Sequence, residues 1–261
     1  MGAFLTTFLF LQIILLFLYK SFIVDVAKKN EKNLVENTLQ IYHNTMESVL
    51  ERLDDNLDLL LGCRLYLAQL NGENNLEKVK AQHQMLQILK ERCKDTKEAD
   101  AYAIVNCKDN SILIQRNGNI TYDTIKDIKK YLQKRNMFDK TPTSGWTSTV
   151  MGEQVYLVKY YNYGANTIAV LISEKRLDSL LNYNDMSIKE AAFYLTDKKG
   201  KILCGSGEDW TYGEAIENLQ KQDPSISIYR GSVLEDAYQM YYSVKSSEYA
   251  AYSTSGIVIF G

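Results

Sequence analysis

The first seventy residues constrain this chain more than any other stretch, because an apolar segment runs without a break into a long amphipathic helix. From Phe4 to Tyr19 only Thr6, Thr7 and Gln12 interrupt the apolar residues, and after Lys20 the run resumes through Phe22, Ile23, Val24 and Val26. A helix rising about 1.5 Å per residue crosses the ~30 Å hydrocarbon core with about twenty such residues. No proline or glycine then occurs before Gly62. Across that interval Val35, Leu39, Tyr42, Met46, Val49, Leu53, Leu57 and Leu60 recur at spacings of three and four, which places them in one stripe on one helix. The expectation is a transmembrane helix over 1–26 continuing into a long stalk helix over 27–70. A cleaved signal peptide fits less well: the start carries no Lys or Arg, and Ser21-Phe22-Ile23 is a poor cleavage site. A buried core helix this apolar on all faces would need a large protein around it. The near-heptad stripe also predicts a parallel homodimer along the stalk, with packing against the chain's own sheets as the other explanation.

The remainder is long enough for one large domain or two ordinary ones. The whole chain is 46% hydrophobic and 24% charged, a balance that reads as folded and not as a disordered tail. A formal charge of −2, with no basic patch interleaved with aromatics, sets nucleic acid aside as a partner. Cys63, Cys93, Cys107 and Cys204 form no Cys-x-x-Cys motif. Free buried thiols are expected, and two disulfides in an oxidising compartment are the alternative.

After the rod, Gly62 and the cluster Asn71-Gly72-Glu73-Asn74-Asn75 break the helical pattern. A helix is expected from Leu76 to Cys93. From Ala101 the period becomes strand-like: Ala101 to Val105, a turn at Lys108 to Ser111, and a return strand over Ile112 to Ile114. A short helix over Tyr122 to Leu132 precedes a hairpin of Trp146 to Val150 and Gln154 to Tyr161 around Met151-Gly152-Glu153. Thr167 to Ile172 reads as a fifth strand, with Ser173 placed to cap a helix over Glu174 to Leu181. The plan then repeats. Ala101 over Ala191 brings Lys108 over Lys198, Ile112 over Ile202 and Leu113 over Leu203. A helix over Tyr212 to Gln220 follows, and Tyr238 to Val244 stands where Gln154 to Tyr160 stood. The fold class is α+β: two antiparallel-sheet modules in tandem, over 71–181 and 182–261, behind the long helix.

This layout resembles the double Cache (PAS-like) family of bacterial extracytoplasmic sensor domains, most closely those of Firmicute sensor histidine kinases. The residues that carry the resemblance are Gly145-Trp146-Thr147-Ser148 with Gly152-Glu153-Gln154-Val155-Tyr156, similar to the family's Trp strand and following hairpin. Ile168 to Leu177 is similar to its strand-to-helix exit. The resemblance implies a membrane-distal module at 71–181, a membrane-proximal one at 182–261, and a ligand pocket on the distal hairpin. It also implies an output part, such as a kinase, beyond a second membrane helix. Ile257 to Gly261 reads as a last strand or as the start of that helix. Amino-acid-binding members carry an aspartate near the end of the fifth strand, and Ala169 to Ser173 offers none. Lys20, Lys28, Lys29 and Lys32 follow the apolar segment, whereas the family topology would have the cationic side before it. A basic start upstream of Met1 is the expectation that reconciles the two.

No catalytic constellation emerges. His43 and His83 lack a His partner four residues away, so a His-Glu-x-x-His zinc site is excluded. Cys204-Gly205-Ser206-Gly207 departs from a nucleophile elbow at its first position. Asp54, Asp55 and Asp58 read as a solvated helix face. No enzyme activity, cofactor or metal is expected. The cluster of Trp146, Tyr156, Lys159, Tyr160, Tyr161 and Tyr163 is different in character. Trp146, Tyr156, Lys159 and Tyr161 are the expected ligand contacts, and alternation puts Tyr156 and Tyr160 on one face and Lys159 and Tyr161 on the other. One side of the hairpin should therefore be silent, and Trp146, as a pocket wall, should be dispensable for folding. The expected function is extracytoplasmic sensing of a small polar ligand by a cell-membrane receptor that is single-pass within this chain, with a membrane-anchored structural or adhesion protein as the alternative.

Overall fold

The computed structural model describes residues 2–117, 120–138, 145–181, 191–206, 210–234 and 238–245. One helix, α1 (Gly2–Gly62), runs unbroken from the apolar segment through the stripe. From Phe8 on, its apolar part is exposed among the described residues: Phe10, Leu16 and Phe17 are each about two-thirds exposed. It is long and apolar enough to cross a membrane. The stalk expected to reach residue 70 instead ends at Gly62. Cys63 interrupts it, and α2 (Arg64–Leu70) follows before α3 (Asn75–Asp95), whose N-cap Asn74 side chain accepts from the N–H groups of Leu76 and Glu77.

The distal sheet contains β1 (Ala101–Asn106), β2 (Ser111–Arg116), β3 (Thr147–Met151), β4 (Gln154–Tyr163) and β5 (Asn166–Ser173) in the order β2-β1-β5-β4-β3, every neighbour antiparallel. Helix α4 (Tyr122–Phe138) covers one face and runs further than the expected end at Leu132. The other face meets α1 and α3. Continuous burial along β1 and β5 follows from helices on both sides. Asn106 and Asn166 pin α2 to one end of the sheet. Asn106 Nδ2 donates to Leu70 O and Asn166 Oδ1, and Asn166 Nδ2 donates to Leu67 O at 2.8 Å. Ser173 ends β5, and its N–H donates to Asp100 Oδ2. Helix α5 (Glu174–Leu181) follows directly.

The proximal sheet contains β6 (Ala191–Asp197), β7 (Ile202–Gly205), β8 (Ile226–Leu234) and β9 (Tyr238–Lys245) in the order β7-β6-β9-β8. β1 and β6 begin at the two residues that the repeat superposes. The pairing corrects the rest of that alignment. β9 lies against β6 as β5 lies against β1, so Tyr238 to Val244 is the counterpart of the fifth strand, not of Gln154 to Tyr160. The counterpart of β4 is β8, a strand that was not foreseen. The second module's helix is the short α6 (Glu217–Gln222), not Tyr212 to Gln220, because Ala215 is held in a bridge to Lys201. Ile257 to Gly261 lies outside the described residues.

The stripe on α1 is buried against these sheets. Val35, Leu39, Tyr42, Met46, Val49 and Leu53 are all at most 5% exposed and share one core with residues of both sheets. The seam expected to pair two stalks is therefore occupied within the chain. Tyr42 meets Phe193 of β6 edge-to-face at 4.8 Å, and His43 Nε2 lies 2.9 Å from Val233 O of β8. Further along α1, Asp54 reaches β4. The proximal sheet thus docks nearer the apolar end and the distal sheet about 22 Å further on, at 1.5 Å per residue from Leu39 to Asp54.

Gly231 on β8 permits that docking, because a Cβ there would overlap Leu39 Cδ2 and come within 2.8 Å of Met240 O. Gly231→Ala should destabilise the chain by about 1–3 kcal/mol, as overpacking does. The additional Leu39→Ala change should cost less than it does alone in a wild-type background. Additive losses in thermal unfolding of the four variants would show that β8 does not press on α1.

Candidate functional site

The β3–β4 hairpin of the distal sheet is positioned by its turn. Gly152 has φ +63, and its N–H donates to Asp127 Oδ2 of α4 at 3.0 Å. From there the strands expose two faces with different chemistry.

Towards α1, Lys159 is buried, its side chain only 5% exposed, and its Nζ lies 2.5 Å from Asp54 Oδ2. Tyr161 Oη donates to the other oxygen, Asp54 Oδ1, at 3.3 Å. Trp146, 4% exposed, packs in the same core, and its buried Nε1 has no hydrogen-bond partner among the described residues. Such a donor costs about 1–3 kcal/mol unless something accepts from it. Asp54 is thus not part of a solvated face. It is the residue that sequence reasoning missed, and only its position on the buried side of the stripe, next to Leu53, hinted at it.

Towards α4, Tyr156 and Tyr160 join Ala101, Ala103, Ala169 and Leu171 in a second core. Arg135 of α4 lies over the rings of Tyr131 and Tyr160, at 5.1 and 5.7 Å from their centroids. Tyr156 Oη donates to Gln154 Oε1 at 3.2 Å. Burial first, and the charge of Asp100 second, push its hydroxyl up to about 12, so it stays neutral at physiological pH. Asp100 places a carboxylate beside the end of β5, contributed from the residue before β1. Its oxygens already accept from Ser173 N–H and, at 3.4 Å, from Arg176 Nε.

Of the four expected ligand contacts, Trp146, Lys159 and Tyr161 share the α1-side core, while Tyr156 is on the opposite face. They do not line one cavity. Chemically, the α1 side offers one cation, one carboxylate, a phenol and an unmatched indole N–H. Trp146 is also a core residue and not a dispensable wall, so Trp146→Ala should destabilise by about 3–5 kcal/mol, whereas Trp146→Phe removes the N–H with a smaller loss of volume. Lys159→Met should cost about 2–4 kcal/mol by leaving Asp54 without its cation, and Lys159→Met with Asp54→Leu should recover much of that. A double variant no better than the single one, by chemical denaturation, would show that the pair is not coupled.

No protein-family model matches the chain, and no curated protein matches it. Solved structures do. The ligand-binding domain of the Campylobacter jejuni chemoreceptor Tlp3 in complex with L-norvaline superposes with a TM-score of 0.52 at 13% identity, over 89% of this chain and 96% of that one. The same receptor's domain with L-valine gives 0.51 at 13%, over 85% and 95%. Its sensory domain with isoleucine gives 0.50 at 13%, also over 85% and 95%. This likeness is one of fold: a long helix carrying two PAS-like antiparallel sheets, with the sequences almost wholly diverged.

Proposed function

We propose that the chain is the ligand-sensing, extracytoplasmic region of a membrane receptor, with its output, a histidine kinase by resemblance, elsewhere in the protein. The observation that carries this reading is the continuity of α1, one helix that is apolar and unburied at one end and forms the core of both sheets at the other. A chemoreceptor ligand-binding domain shares the fold across most of the chain. The protein acts by binding, without bond chemistry and without a cofactor. A small polar ligand engages Trp146 Nε1, Lys159 and Tyr161 on the α1 side of the distal hairpin, leaving Tyr156 silent. Because Lys159 and Tyr161 also hold Asp54, a ligand competing for them shifts β4 relative to α1. Self-association, where it occurs, uses the exposed side of the stalk. Leu34 and Ile41 are 48% and 51% exposed and seven residues apart.

A thermal-shift screen of the full chain in lipid nanodiscs tests the sensing claim, using amino acids, carboxylates, sugars and purines. A ligand at a hundredfold excess over Kd stabilises by about 2.7 kcal/mol, and Trp146→Phe and Lys159→Met should abolish the shift while Tyr156→Phe leaves it. A screen with no hit contradicts the sensing claim and favours an adhesion role, whereas a hit indifferent to both Trp146→Phe and Lys159→Met moves the ligand off the distal hairpin.

Topology has its own test. Burial raises the thiol pKa of Cys63, Cys93, Cys107 and Cys204, that of Cys93 to about 11, so all four are less reactive than free thiols at neutral pH. In whole cells at mildly alkaline pH, an impermeant maleimide should label the half-buried Cys63 and Cys107, and Cys93 and Cys204 only after unfolding. Protection of all four until lysis would place the sheets in the cytoplasm. Cysteine at Ile41 should cross-link between copies and cysteine at Tyr42 should not; the reverse would restore the stripe as the seam.

A further inference from the structure

We propose a second ligand site, on the α6 side of the proximal sheet, that takes a small carboxylate and bears on α1 through β8. A cleft of 510 Å³ opens there between the turn after β6, the start of α6 and the paired strands β8 and β9. That volume falls within the ~300–1,000 Å³ of small-molecule sites.

Arg230 is the anchor. It is exposed, and its Nε donates to Gln239 Oε1 at 3.0 Å, while Gln239 Nε2 donates to Gly231 O at 2.7 Å. The guanidinium is thereby aimed by a side chain that is itself fixed to the backbone. Its terminal nitrogens have no hydrogen-bond partner among the described residues, so the planar fork is open to a carboxylate. Tyr241 is its register partner on β9 and lines the same cleft, its hydroxyl likewise without a partner among the described residues. Lys198 and Lys199 add positive charge at the rim. Of the two acids among the described residues that line the cleft, Asp197 is committed to the turn, its Oδ1 accepting from the N–H groups of Lys199 and Lys201, and Glu217 stands in the first turn of α6. Ile216 and Val233 give an apolar wall for a carbon skeleton, which favours an organic carboxylate over inorganic phosphate.

The site is wired to the stalk by position. The β8–β9 register shifts between Arg230 and Val233. Within that irregularity Gly231 meets Leu39, and Val233 O meets His43 Nε2. A ligand drawing on Arg230 therefore loads a strand segment held at two points by α1.

Calorimetry of the full chain in nanodiscs, with benzoate, succinate, acetate and inorganic phosphate as probes, tests the site. Benzoate or succinate should bind at one site per chain, and Arg230→Gln should weaken that binding by about tenfold or more, as loss of a charged hydrogen-bond pair does. Arg230→Lys should also weaken it, because charge without the fork is not enough. Lys130→Gln, on the exposed side of α4, should leave it unchanged. Backbone hydrogen exchange over α1 residues 39–43 should slow when the carboxylate binds. No carboxylate binding, equal binding of phosphate, or binding that survives Arg230→Gln would overturn the site, and unchanged exchange would overturn its link to α1. Binding lost in Lys159→Met but kept in Arg230→Gln would move the carboxylate to the distal hairpin, defeating this proposal while leaving the sensor reading in place.

Discussion

The structure depends on the burial of one stripe of α1. Two small sheets, each with a helix on its far side, would be marginal alone, since small modules bury too little surface to offset the entropy of folding. Here both borrow the same helix as part of their core, so Val35 to Tyr42 complete one module and Leu53 to Leu60 contribute to the other. The arrangement works only if the helix is straight enough to serve both and the sheets can come close enough to touch it. The absence of glycine and proline between Gly2 and Gly62 meets the first condition. Gly231 opposite Leu39 meets the second.

The two sheets attach to α1 by different chemistry. The proximal contact is mostly apolar and aromatic, through Leu39 and the Tyr42–Phe193 pair, with His43 adding one polar link. The distal contact includes a largely buried charge pair, Lys159 with Asp54. Such pairs are poor sources of stability because desolvation offsets much of their attraction, but they are exacting about geometry. That makes the distal seam the more easily shifted of the two, and the proximal seam the one nearer the apolar end of α1.

Periodicity made α1, its stripe and the faces of β4 legible in the sequence, since 3.6- and 2-residue repeats report which side chains share a surface. What covers a surface is not encoded in the period. The stripe was therefore assigned to a partner stalk when it faces the chain's own sheets, and Asp54 was assigned to solvent although its cation stands 105 positions away. β8 escaped notice because Gly231 breaks its pattern, and that glycine is there for Leu39, a long-range cause invisible locally. The repeat was found by Ala101 and Ala191 but aligned one strand out, since antiparallel strands of similar composition cannot be told apart without their pairing. The Trp146 site was half legible: alternation separated Tyr156 from Lys159, while the unmatched indole N–H is a property of packing alone.

α1 is one continuous element from the apolar segment to the distal sheet, so that a change at either sheet can reach its apolar end. Residue-resolved hydrogen exchange of the full chain in nanodiscs tests that continuity most directly. The account predicts slow exchange along the whole helix from Val24 to Leu60, with no gap between the last apolar residues and the stripe. Rapid exchange confined to the stretch between Val26 and Val35, with protection on either side, would reveal a hinge there and contradict it.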